Sequence, residues 1–94
     1  MPETRQLRDL VSVGPVIERD LHILGVRTVK QLALKNPDEL YKKLGKLTGQ
    51  RQDPCVLDVF SAAVAQARDP FLPHRKSQWW YWSQKRKAAN AEAK

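Results

Sequence analysis

Apolar residues recur along this chain at helical spacing, in short runs punctuated by proline and glycine, and no stretch keeps the period of two that marks a half-buried strand. The pattern predicts an all-α fold of five short helices. The first is expected from about Glu3 to Leu10, with Leu7 and Leu10 turned inward. The second starts at the Gly14-Pro15 corner, carries Val16, Ile17, Leu21 and Leu24 on its apolar side, and stops at Gly25, the residue type favoured just past a helix end. Thr28 caps a third, from Val29 to about Leu34. Asn36-Pro37-Asp38-Glu39 combines a cap, a first-position proline and first-turn acids ahead of a fourth, which should end near Gly45. Asp53-Pro54 repeats that signal before the strongest helix, Cys55 to Arg68. Its stripe of Val56, Val59, Phe60, Ala63, Val64 and Ala67 should make it the central element of the core. Asp69-Pro70-Phe71-Leu72-Pro73 cannot continue a helix, so residues 1–72 read as a helical body and residues 73–94 as a Trp-rich basic tail, partly packed on it.

Charge sharpens this division. The formal net charge is +7, yet residues 1–72 hold 11 Lys and Arg against 9 Asp and Glu, whereas residues 73–94 hold 6 against 1. A near-neutral body with a basic tail points to a polyanionic partner, nucleic acid first and an anionic membrane surface second; the alternative is a solubilising, disordered end. A chain of 94 residues has room for one modest core and none for a cleft between two lobes. No apolar run approaches the roughly 20 residues of a membrane span. The segment MPETRQLRDL has no apolar signal region and the lone Cys55 excludes an internal disulfide, so a cytoplasmic location with no membrane partner is expected.

The Gly14-Pro15 corner is where chemistry is most legible. Gly14 is expected to adopt a backbone conformation closed to other residues, and Pro15 suits the first helical position, where its missing N–H costs nothing. The amides of Val16 and Ile17 then leave the helix end with the positive pole of the macrodipole behind them, which favours a phosphate. Val13, Gly14, Val16 and Ile17 would form the grip, with Arg19, Arg27 and Lys30 in support. Glu18, in the same first turn, competes for that pole, and Arg19 beside it is the balancing cation. The competing reading is a purely structural turn between packed helices, as in sterile-alpha-motif-like modules. LGKLTGQRQDP, residues 44–54, is either a second, degenerate hairpin that brings Lys46 to a phosphate or a plain loop.

Trp79, Trp80, Tyr81 and Trp82 precede the basic run Lys85-Arg86-Lys87, a combination able to stack on and neutralise a single strand. Alternatively, at least two of the tryptophans fold back as a lid on a thin core, at roughly 25 cal/mol per Å² of apolar surface buried; an interfacial membrane anchor is a third reading. Cys55, His22 and His74 show no metal-ligand spacing. Cys55 reads as a small core residue, or as a thiol made reactive by the helix end if exposed. Ser61, His22 and Asp58 lack any triad signature, so no catalytic residue, cofactor or metal is expected.

Residues 11–24 resemble the helix-hairpin-helix family, although the hairpin here reads Ser12-Val13-Gly14 where that family has Gly-hydrophobic-Gly. VGPVIERDLHILGV, NPDELYKKL, TGQRQDPCVLDVF and the WWYW cluster also resemble the small bacterial proteins of the pathogenicity locus or Cdd1 family, and the helical C-terminal part of TfoX-type competence regulators is similar. The resemblance implies a sterile-alpha-motif-like arrangement of the helices. Together these readings lead to a non-enzymatic domain that grips nucleic acid, DNA before RNA, by its backbone and without strong sequence preference. The alternative is a protein-protein adaptor; no small-molecule substrate is expected.

Overall fold

A computed structural model of the chain describes residues 4–92, with side chains up to Ala89. Its regular elements are all helical: α1 (Pro15–Ile23), α2 (Val29–Ala33), α3 (Pro37–Thr48), α4 (Pro54–Arg68) and α5 (Trp79–Glu92), with 3-10 turns at Leu7–Asp9 and His74–Ser77. Five helices match the pattern, but their membership differs. Of the segment expected as the first helix, Glu3 lies outside the described residues and the rest narrows to one turn, in which Gln6 and Asp9 bond reciprocally and Leu10 is already extended. Leu7 and Leu10 are nonetheless buried, as their spacing predicts. The aromatic tail segment supplies the fifth helix instead.

The starts and stops follow local chemistry. Thr28 accepts from the Gln31 amide at 3.1 Å, Asn36 from Asp38 at 2.9 Å, and Asp53 from Cys55 at 2.8 Å, each occupying donors that a helix start leaves open. α1 closes in a Schellman turn: Gly25 (φ 82°) donates to His22 and buried Val26 donates to Leu21. α3 runs three residues beyond the expected Gly45 stop, because a glycine inside a helix costs only about 1 kcal/mol. Its break falls at left-handed Gly49.

α4 is the central element, touching α2, α3, α5 and the His74–Ser77 turn. Phe60, Ala63, Val64 and Ala67 join Leu21, Val26, Val29, Leu32, Leu40 and Leu44 in one apolar cluster. Val56 and Val59 are only partly buried, whereas Asp58, Ala62 and Gln66 are inaccessible, because the tail covers a second face of the helix. Asp58 is paired there with Arg86 at 3.0 and 3.1 Å, a two-pronged bond that fixes α5 on α4.

A lid of two or more tryptophans does not form. Trp79 and Trp80 remain 41% and 42% exposed, and only Trp82 turns inward, its Nε1 donating to the Lys76 carbonyl at 2.8 Å. Successive helical residues point about 100° apart, so four in a row span the whole circumference and cannot all turn to one buried face.

Candidate functional site

The bend leading into α1 is built from both ends of the chain. Ser12, not Gly14, holds the left-handed conformation, with φ 74°. Gly14 is extended, at φ −91° and ψ −176°, a shape open to any residue. The expectation for Gly14 is thus corrected: the conformational demand lies two residues earlier, at the position where the hairpin pattern has its first glycine. Ser12 Oγ donates to the Ser77 carbonyl at 3.5 Å. Buried Gln66 clamps the same segment, its Oε1 accepting from the Val11 amide at 2.8 Å and its Nε2 donating to the Val11 carbonyl at 2.9 Å. Nothing in the sequence marks Gln66 for this role beyond its being a polar residue among small apolar ones.

No side chain caps α1. Its first intrahelical bond runs from the Glu18 amide to the Gly14 carbonyl at 2.9 Å, so the Val16 and Ile17 amides precede the ladder. A Cβ built on Gly14 meets nothing within 4 Å, and the space over the corner is open. The Glu18 carboxylate turns toward Arg8, 3.7 Å away. Val13 is buried, Ile17 packs partly against the core, and Val16 is exposed. Arg19 is exposed on the same helix.

The other sequence-derived candidates lie apart. Arg27 and Lys30 follow the far end of α1, about 12 Å along its axis at 1.5 Å per residue, and line a cleft of ≈ 560 Å³ with Arg8, Glu18 and His22. Lys46 is exposed near the end of α3, where no second uncapped hairpin exists. The Asp53 carboxylate already fills the α4 start, in the position a phosphate would need. In the tail, Lys85 Nζ sits 5.2 Å from the Tyr81 ring centre and 5.8 Å from that of Trp82. Arg86 is committed to Asp58, whose hydrogen bonds raise its already high pKa further; Lys87 is exposed.

Cys55 is exposed and not a core residue, because it falls on the outward side of the first α4 turn. A reactive thiol is not favoured either. Hydrogen bonding to Asp53 raises the Cys55 pKa above its ordinary value, while the Cys55 amide lowers that of Asp53. Among the described residues no three His, Cys, Asp or Glu side chains gather as a metal cluster, and no helix is long and apolar enough to cross a membrane.

The class that fold and site define is a small all-α domain with an uncapped helix corner and a basic C-terminal helix pinned to its centre. The chain matches the pathogenicity locus (Cdd1) family over residues 2–88 and belongs to that family. It is 40% identical over 81 residues to the mitomycin resistance protein McrB of Streptomyces lavendulae, a match covering 86% of this chain and 73% of that protein. No solved structure matches it.

Proposed function

We propose that this protein is a non-enzymatic domain that grips the nucleic-acid backbone, DNA before RNA, at the Val13-Gly14-Pro15 corner in the manner of a helix-hairpin-helix. The observation that carries this reading is the start of α1. It has no side-chain cap, open space above Gly14, and its first-turn carboxylate 3.7 Å from Arg8. The left-handed residue at Ser12 supports the hairpin likeness, since glycine occupies that place in the hairpin pattern. The likeness to the TfoX-type module belongs to the same reading. Amide-to-phosphate contacts read backbone geometry and not base edges, so binding should be weakly sequence-dependent and fall steeply with salt.

Fluorescence anisotropy with single- and double-stranded DNA across a salt series tests it, using the wild type, Gly14→Glu and Lys87→Glu. Gly14 is extended and unobstructed, so the glutamate leaves the fold intact, as circular dichroism would verify. Loss of salt-dependent binding in Gly14→Glu is the expected result. Absence of binding at low salt overturns the proposal; retention in Gly14→Glu with loss in Lys87→Glu moves the site to α5.

A further inference from the structure

We infer that the cleft between the Leu7–Asp9 turn, α1 and the start of α2 binds an organic phosphate of nucleotide size. This inference stands apart from the corner: it uses none of the α1 amides and departs from the expectation that the chain meets no small molecule.

Glu18 and His22 are four residues apart on α1, so they share a face, and that face meets Gln6, Leu7 and Arg8 from one side and Arg27, Thr28 and Lys30 from the other. The resulting hollow of ≈ 560 Å³ is within the range of about 300–1,000 Å³ typical of small-molecule sites. Its rim is strongly biased in charge. Among the described residues Arg5, Arg8, Arg27 and Lys30 line it with a single carboxylate, Glu18, which is 3.7 Å from Arg8. Among the described residues neither Arg27 nor Lys30 has a carboxylate within ion-pair distance. Their exposed heads therefore lean over the hollow without a balancing anion, while the aliphatic stems of the lining side chains and the edge of Leu7 give it an apolar floor.

That combination selects for a ligand with a compact anionic end and a flat body. Guanidinium groups match phosphate oxygens two at a time and also lie flat against aromatic rings, and Arg8 and Arg27 flank the hollow. Inorganic phosphate would satisfy the rim and leave the floor empty.

Calorimetry and amide-shift NMR on the full chain, with adenosine monophosphate and inorganic phosphate as separate probes, test the inference. Adenosine monophosphate is expected to saturate one site, shifting Leu7, His22 and Thr28, and to bind about tenfold tighter than inorganic phosphate, a difference of about 1.4 kcal/mol. Arg27→Glu combined with Lys30→Glu, both at exposed positions, should weaken it about tenfold or more, whereas Gly14→Glu should leave it unchanged. No saturation by about 10 mM, equal affinity for inorganic phosphate, or indifference to the double charge reversal would overturn it. Because Gly14→Glu abolishes only the corner, failure here and failure of DNA binding are read separately.

Discussion

Replacing Arg86 with alanine probes the joint that makes the C-terminal segment part of the fold. The change strands Asp58, whose side chain is 2% exposed and takes two hydrogen bonds from the guanidinium at 3.0 and 3.1 Å. Removing one partner of a fully buried pair costs about 3–5 kcal/mol. The Arg86 side chain is 25% exposed, and a hollow of ≈ 240 Å³ borders Asp58, so water can reach the orphaned carboxylate and solvent already screens the pair. About 2 kcal/mol is the result. At 4–8 °C per kcal/mol for a domain of this size, Tm should fall by about 10 °C. Urea melts followed by circular dichroism measure the loss, and Trp82 emission, shifting red, reports detachment of α5. The double change Asp58→Val with Arg86→Met should recover most of the stability, since apolar replacement of a buried pair is often near neutral. A loss below about 0.5 kcal/mol in Arg86→Ala, within the range of ordinary surface changes, would refute the joint.

Three further outcomes are expected. Ser12→Gly relieves a left-handed residue whose cost is about 1–2 kcal/mol, partly offset by loss of the long Ser12 Oγ–Ser77 bond and by the extra freedom glycine has in the unfolded chain; a net gain of roughly 0.5 kcal/mol in urea melts is expected, and a loss above about 1 kcal/mol would contradict the assigned conformation. Asp53 has its pKa lowered by the Cys55 amide, so its contribution to stability is present above the unfolded value, near pH 4, and disappears as pH falls through the lower folded value. Wild-type Tm should accordingly drop more than that of Asp53→Asn between pH 5 and 3, and parallel curves would argue against the cap. Although exposed, Cys55 should react with iodoacetamide at pH 8 more slowly than free cysteine, and Asp53→Asn should speed it; faster alkylation of the wild type would mean that the helix end outweighs the carboxylate.

Features set by neighbouring residues were readable from sequence. Thr28, Asn36-Pro37, Asp53-Pro54 and Gly25 all mark helix ends where the structure has them, because capping is decided within a few residues. The α4 stripe was legible on one face only. Asp58 and Gln66 interrupt the apolar pattern of the other face, and their burial makes sense only once Arg86 and Val11, distant in sequence, are brought alongside. The same holds for α5: consecutive aromatics followed by cations carry no clean 3.6-residue period, so the helix is fixed by what it packs on. At the corner, sequence pointed to the right bend and the wrong glycine, since a serine in the left-handed region leaves no compositional trace.

The Gln66 side chain carries a consequence for how the molecule comes apart. It also donates to the Ser77 carbonyl at 3.4 Å, so a single amide group holds the stretch entering α1 and the turn leading into α5. Fraying of either terminal portion therefore breaks bonds to an amide that the other also uses. The Val11 amide should therefore exchange its hydrogen for deuterium more slowly in the wild type than in Gln66→Ala, where the shared amide is gone.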